Sequence, residues 1–535
     1  MKSLRRIGEA EENVEKPKRN IGLLRVLKSH RSHREWFATP FFSDYFVEFR
    51  VCRVAAASWT AVQRALDPPR SPRMSLALLL QYNSSTQHQH EDDEEHDDDQ
   101  LSPCYDAPIF PNLPPLLHAH PHVHLRNHIL AADALQHPDA ERAFFVADLG
   151  HVYAQHLRWR AALPDIHPFY AVKCNPDPYV LRLLAALGTG FDCASNGEIS
   201  QVLALGPVHP NRIIFANPCK ALSFVRNAAK LRVNTMTFDN ADELYKIARA
   251  HPRASLVLRI LTDDTKALCQ LGLKFGAPLH AVPSLLAKAR ELALDVVGIS
   301  FHVGSGCYDP SVYTDAVRRA RTAFDMGSDV GYRFTLLDVG GGFEDALFEQ
   351  AAAYLNDAIH TYFPDRADLK IIAEPGRFYV SKAFTLATNI IARRAPLDPP
   401  LADPPPEPSI MYYINDGVYG AFNCILFDHQ VVEPFVLSMG GSFHVPAHEP
   451  LHNSSVWGPT CDSIDCVCPT TQLPSALRVG DWLGWTGMGA YTICAASQFN
   501  GFQVSQVIYT TGNFRPSEVR SILAKFAADI PCLDT

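Results

Sequence analysis

From about residue 143 onward the chain alternates short apolar runs with helix-length amphipathic stretches, and this rhythm constrains its fold more than any other feature. A short apolar run between polar stretches reads as a strand buried on both faces. A strand followed by a helix returns to a parallel neighbour through a right-handed crossover. Runs at 169–172, 191–194, 213–216, 236–238, 256–260, 296–302, 335–339 and 369–373 are the expected strands, with helical patterns such as 178–187 and 311–324 between them. Eight repeats of this kind predict an α/β chain built on a (β/α)8 barrel of the TIM type. After about residue 381 the helices thin out. Stretches at 411–414, 425–427 and 502–509, separated by Gly, Pro, Asp and Asn turns, predict a second, all-β domain.

A length of 535 residues exceeds what one hydrophobic core usually supports, so two domains plus extensions are expected. Residues 1–110 read as a disordered extension, because Gln/His repeats and the run Glu91-Asp92-Asp93-Glu94-Glu95-His96-Asp97-Asp98-Asp99 offer no apolar face to bury. Nothing in it resembles an enzyme, which makes Met74 a second candidate start. Residues 111–145 are expected to join the β domain, 146–383 to form the barrel and 384–535 the β domain, with a proline-rich exposed insert at 396–408. Alternate histidines from His118 to His124 would share one face of a strand, but Pro121 interrupts it and no carboxylate or thiol adds a ligand, so a metal site is not expected. Cys461, Cys466 and Cys468 lack paired C-x-x-C spacing, and zinc is not expected there either. A net charge of -9 argues against a nucleic-acid partner and favours a small-molecule ligand. Thirteen scattered cysteines and the lack of a signal-peptide or membrane-spanning run point to a reduced, cytoplasmic protein with no membrane partner.

Reactive residue types fall at the carboxyl ends of successive expected strands, the face on which barrel enzymes build their sites. Lys173 ends the first run and Asp192 lies in the second. Asn217 and Asp239 follow the third and fourth, Arg259 closes the fifth, and His302, Gly340 and Glu374 end the last three. A lysine in this setting is expected to have its pKa lowered by partial desolvation, which makes the amine a nucleophile toward an aldehyde. Gly340, Gly341 and Gly342 expose backbone N–H groups, and Arg377 adds a planar cationic fork; together they suit a phosphate. Glu374 can hold a proton on a pyridine nitrogen at the other end of a flat cofactor. Lysine, phosphate cradle and acid together describe pyridoxal 5'-phosphate (PLP).

Nine motifs then carry a resemblance to the eukaryotic, fungal-like ornithine decarboxylases, within the barrel-type PLP-dependent ornithine, lysine, arginine and diaminopimelate decarboxylases. They are PFYAVKCNPDP (168–178), FDCASNGEI (191–199), LVLRI (256–260), FHVGSGC (301–307), LDVGGGF (337–343), AEPGR (373–377), YYINDGVYGAFNCILFDH (412–429), WGPTCD (457–462) and MGAYT (488–492). The resemblance runs from about residue 144 to 502. It implies an alanine-racemase-like architecture, and a lyase that converts L-ornithine to putrescine and carbon dioxide, the first step of polyamine biosynthesis. It implies that Lys173 bonds the cofactor, His302 stacks on its ring, Glu374 pairs with its nitrogen, and Ser305, Gly342, Arg377 and Tyr491 hold its phosphate. Asp192, Glu198 and Arg259 match positions around the cofactor.

Further implications concern a homodimer with shared sites. Cys461 would protonate Cα in the neighbouring subunit's site, and Asp462 with Asp428 would grip the substrate's distal ammonium. Tyr419 matches another active-site position, and Lys274 and Asp465 match an intersubunit ion pair. Phe427 stands where many members carry tyrosine, and Glu344 where proline is usual; neither change is expected to touch the cofactor. Two alternatives stand beside ornithine decarboxylation. One is a decarboxylase of the same fold acting on lysine or another basic amino acid. The other is a non-catalytic regulator like the antizyme inhibitors, which would make antizyme a partner; the presence of Asp192, Arg259, Tyr419, Asp428 and Cys461 favours the enzyme.

Overall fold

The computed structural model describes residues 120–134, 140–396, 408–446 and 448–528. The expected extension at residues 1–110 and nearly all of the proline-rich insert lie outside the described residues. Eight parallel strands close into a barrel in the order β2 (Ile166–Ala171), β3 (Gly190–Cys193), β4 (Ile213–Phe215), β5 (Thr235–Phe238), β6 (Ser255–Arg259), β8 (Asp295–Ser300), β10 (Leu336–Asp338) and β11 (Lys370–Ala373). Each coincides with one of the expected runs. The last ladder, pairing Ile371 with Ile166, closes the ring. The two remaining short strands of this half, β7 (Ala267–Cys269) and β9 (Ser305–Cys307), pair antiparallel as a ribbon after β6 and β8.

Local chemistry explains the strand-to-helix joints. Asp177 caps the helix Pro178–Ala186 by accepting from the Tyr179 and Val180 amides, and Pro178 sits at the first helical position, where no N–H is needed. Ser195 caps Asn196–Leu203, and the Glu198 carboxylate reaches back to the Ala194 amide at 2.6 Å, so the start of this helix is tied at both ends. The helix expected at 311–324 runs further, Val312–Val330, and stops where Gly331 turns left-handed at φ 90°.

The second sheet has eight strands. Its ordered path is β14 (Pro434–Ser438), β17 (Trp482–Trp485), β12 (Phe384–Arg394), β13 (Ile410–Ile414), β15 (Leu451–Trp457) and β16 (Cys466–Pro474). Strand β1 (Phe144–Asp148) joins it, antiparallel to β12 and parallel to β18 (Gln506–Thr510). It therefore straddles the domain boundary expected at residue 145. The C-terminal helix Pro516–Ala528 leaves this sheet and packs on the barrel helices Pro178–Ala186 and Leu149–Ala162.

One local expectation is overturned. Residues 425–427 read as strand because Ile and Phe favour it, yet Cys424–Phe427 is a single helical turn closed by the Asp428 amide on the Cys424 carbonyl. Within the histidine-rich run, Pro121 opens the helix Pro121–Ala134, as expected of a residue that interrupts a strand, and its Leu125 and Ile129 bury against Phe144 and Trp482. His122 lies at 5.0 Å from the Phe435 ring, stacked on it.

Trp159 is the pivot between the barrel's outer layer and the glycine loop. It is fully buried, donates from its indole N–H to the Ile166 carbonyl at 2.9 Å, and meets Phe343, Phe348 and Phe378 edge-on or stacked. Phe343 directly follows Gly342, so this packing holds the loop from below. Trp159→Ala is expected to cost about 3–5 kcal/mol of stability and to weaken cofactor binding; thermal unfolding and a cofactor titration check the pair of effects.

Candidate active site

The carboxyl ends of the barrel strands surround an open cleft of about 340 Å³ lined by Lys173, His302, Ser305, Gly342, Glu344, Glu374, Arg377 and Tyr491, among others. Parallel pairing makes this convergence unavoidable. Ala171 pairs with Asp192 across β2 and β3, and Asp338 with Ser300 and Ile372 across β10 and its neighbours. Lys173 sits in a 3-10 turn just beyond β2, and its amine is hydrogen-bonded to Asp192, whose side chain is fully buried.

The expectation that desolvation lowers the Lys173 pKa is overturned. Burial does oppose its charge, but Asp192, then Tyr491 and Glu374, more than offset it and raise the amine above its usual range. Lys173 is therefore a held cation whose proton must pass to a neighbour before it can attack.

Carboxylates crowd the cleft on the other side of Lys173. Glu374 is buried, and burial together with Asp192 and Asp338 pushes it well above the usual carboxylate range. Asp338 is fully buried too, and desolvation raises it to about 7 even though the Gly340 amide donates to it at 2.9 Å. Each of these two carboxyls raises or depends on the charge of the other. Asp338 was not singled out from the sequence; its place at the end of β10, directly before the glycine loop, was the available signal. Arg259 lies 5.2 Å over the Phe275 ring and is near enough to favour charge on Glu374 and Asp338. His302 accepts from the Gly304 amide at Nδ1, 3.0 Å away, and burial, then Arg259 and Lys173, hold it far below its usual pKa. Its ring is neutral and can offer a flat face.

The glycine loop is shaped for close approach. A Cβ on Gly341 would come within 2.8 Å of both His302 Nε2 and the Glu374 carbonyl, and Gly342 holds φ at +103°, a conformation L side chains rarely adopt. Tyr313 braces the loop by donating to the Gly341 carbonyl at 3.0 Å. Arg377 stacks 5.2 Å over the Tyr491 ring. Its Nη2 donates to Ser305 Oγ at 3.1 Å and to both oxygens of Asp428 at 2.8 and 2.7 Å, while its Nε lies 3.0 Å from Glu344.

Two expectations change here. Glu344, read as remote from the cofactor residues, contacts Arg377 directly. Asp428, read as a substrate ligand, is engaged by Arg377 within this chain.

Other expected residues lie beside the cleft or away from it, with partners of their own. The Glu198 carboxylate accepts from the Ala194 amide, and Asp192 and Lys173 lie near it. Asn217 bonds the Ala194 carbonyl and the Cys219 amide, and Asp239 accepts from the Gly276 amide. Asp465 is 1% exposed, and its carboxylate is taken by Val418 and Thr460, while Lys274 lies 5.0 Å over the Phe275 ring. Cys461, Asp462 and Tyr419 do not line the Lys173 cleft. Cys461 is exposed on the β domain, and Tyr419 donates to Asp462 at 2.5 Å while stacking on Phe499. Phe427 is 70% exposed.

The residues present fit a phosphorylated pyridoxal. One buried carboxylate oxygen, Asp192 Oδ1, has no hydrogen-bond partner, the loop at Gly341 and Gly342 leaves side-chain-free space, and Arg377 with Ser305 supplies anion donors. The comparisons agree with the chemistry. The family described as pyridoxal-dependent decarboxylase, pyridoxal binding domain, matches residues 149–381. The ornithine decarboxylase of Schizosaccharomyces pombe is 53% identical over 377 residues, 70% of this chain and 84% of that protein. Antizyme inhibitor 2 of Xenopus laevis is 52% identical over 374 residues, 69% of this chain and 80% of that protein. Among solved structures, the Paramecium bursaria Chlorella virus arginine decarboxylase bound to agmatine superposes with a TM-score of 0.67 at 35% identity, covering 72% of this chain and 100% of that one. By that family match and by identity above 50% over most of a relative's length, the chain belongs to the pyridoxal-dependent decarboxylase family, in the branch that holds the eukaryotic ornithine decarboxylases.

Proposed function

We propose that this protein removes carbon dioxide from L-ornithine to give putrescine, opening polyamine biosynthesis in the cytosol, with PLP held by Lys173. The observation that carries the reading is the grouping of the Lys173–Asp192 pair, the Asp338–Glu374 acid pair and the Arg377–Ser305 donors on one barrel face. PLP bound there supplies an electron sink for the pair left behind when carbon dioxide departs.

The chain's own residues prepare that chemistry. Asp192 holds the Lys173 ammonium in place and is the adjacent base that can accept its proton. Glu374, kept protonated in the cofactor-free site by burial and its acidic neighbours, has a proton to give a ring nitrogen. His302 remains neutral and serves as a stacking face rather than an acid. Once a phosphate takes Arg377, Asp428 is released to face the substrate's distal ammonium, where a carboxylate forms a charge-assisted hydrogen bond.

Cys461, Asp462 and Tyr419 are proposed to complete a second subunit's site. All three lie in the β domain, outside the Lys173 cleft, and Cys461 is exposed as a proton donor reaching another chain must be. Such a homodimer joins the barrel of one subunit to the β domain of the other, and the same face is a candidate for antizyme.

Purified protein loaded with PLP is expected to release carbon dioxide from ornithine faster than from lysine or arginine. Failure on all three substrates would support a regulatory protein instead. Lys173→Ala should abolish the absorbance of lysine-bound cofactor and lower kcat by roughly 10³-fold or more; a normal rate would refute the role of Lys173. Mixing inactive Lys173→Ala and Cys461→Ala chains should restore part of the activity, and no recovery despite verified subunit exchange would count against shared sites.

A further inference from the structure

Arg377 is the principal cation in the expected phosphate site, and in the chain alone it is not idle. Asp428 takes its Nη2 through both oxygens, and Glu344 lies 3.0 Å from its Nε. The side chains of all three are nearly buried, at 9% exposed for Arg377, 7% for Asp428 and 15% for Glu344. The Gly306 backbone amide, on the ribbon strand β9 that carries Ser305, lies near enough to favour charge on the Glu344 carboxylate. Glu344 therefore sits against an arginine edge and near a backbone N–H, the donor types an incoming phosphate needs. The Nε–H does not point squarely at the carboxylate, since Arg377 Nε lacks an aligned acceptor, so the contact is an ion pair without a directed hydrogen bond.

We propose that Glu344 is a resident anion of the phosphate site, paired with Arg377 when the cofactor is absent and competing with the cofactor's phosphate for it. The inference rests on the PLP reading and deepens it. One arginine facing two carboxylates leaves the cluster with a net negative charge before a phosphate arrives, so binding requires a carboxylate to move away or take up a proton. Asp428 has a proposed use after it leaves, on the substrate's ammonium. Glu344 has none, and its charge remains a standing cost to phosphate binding.

The surroundings of Glu344 make that cost sensitive to pH. Arg377 faces it from the helix Arg377–Val380, Asp428 from the end of Cys424–Phe427, and Asp345 adjoins it in sequence. Asp345 is itself paired with Arg158 and Lys382. Cys307, Tyr308 and Tyr313 face it from the ribbon strand and the start of the following helix. Burial raises the Glu344 carboxyl to about 7, with Arg377 opposing and Asp428 and Asp345 reinforcing the rise. Above that value Glu344 is charged and competes; below it the neutral acid yields Arg377 to the phosphate.

The test is an equilibrium titration of cofactor-free full-length protein, unsubstituted and Glu344→Gln, with PLP and separately with pyridoxal, which lacks the phosphate. The absorbance of Lys173-bound cofactor is read at pH 8 and pH 6, and Glu344→Ala is the second variant should the first fold poorly. Glu344→Gln is expected to bind PLP about tenfold more tightly at pH 8, with most of the advantage gone at pH 6 and pyridoxal affinity unchanged. Equal or weaker PLP binding by both variants at pH 8 would overturn the proposal, as would an equal gain for pyridoxal. An unsubstituted chain that bound neither compound would overturn the PLP reading itself, and this inference with it.

Discussion

Closure of the parallel barrel is the constraint on which the rest depends. Once β11 pairs with β2 through Ile371 and Ile166, the first and last strands are neighbours, and Glu374 and Arg377 are brought beside Lys173 although most of the barrel sequence separates them. Parallel strands bond in even register and point the same way, so every strand delivers its terminal residue to the same rim. The apolar residues of β2 to β11 hold this ring together, and the polar residues that follow them meet because the chain must leave each strand on that side.

Electrostatics then divides the rim. One side gathers Asp192, Asp338 and Glu374 around a held lysine, and burial pushes Asp338 and Glu374 above the usual carboxylate range. The other gathers Arg377, Ser305 and backbone amides into an anion site that Glu344 and Asp428 already occupy. A flat molecule with a basic nitrogen at one end and a phosphate at the other spans the two. Trp159 and Tyr313 add no charge, but they fix the glycine loop between the two sides, which is why aromatic packing beneath the cleft matters to binding above it.

The branch of the family holds both decarboxylases and an antizyme inhibitor at nearly equal identity, so overall similarity does not separate catalyst from regulator. The distinction rests on particular side chains. Lys173, Asp192, Glu374 and Arg377 stand together in a formed cleft, while the residues proposed for substrate and proton delivery, Cys461, Asp462 and Tyr419, lie on another face of the same chain. That separation is the reason a second subunit belongs in the proposal.

The eight apolar runs determined the barrel from sequence alone, because a strand buried on both faces must be apolar throughout and each run therefore shows at its own position. The same rhythm placed Lys173, His302, Glu374 and the Gly340–Gly342 turn on one rim, since a residue just past a parallel strand has only one end of the barrel to occupy. Tertiary structure decided the rest. Propensity favoured strand at 425–427, but the chain turns there into Cys424–Phe427 and carries Asp428 onto Arg377. Residue type marked Asn217 and Asp239 as reactive, yet they bond nearby backbone amides and carbonyls. Desolvation alone predicted a lowered Lys173, whereas a buried Asp192 against its amine reverses the sign. Glu344 became part of the anion site only when the fold set it beside Arg377. Pairwise charge interactions depend on distance and burial, and neither is written in a one-dimensional pattern.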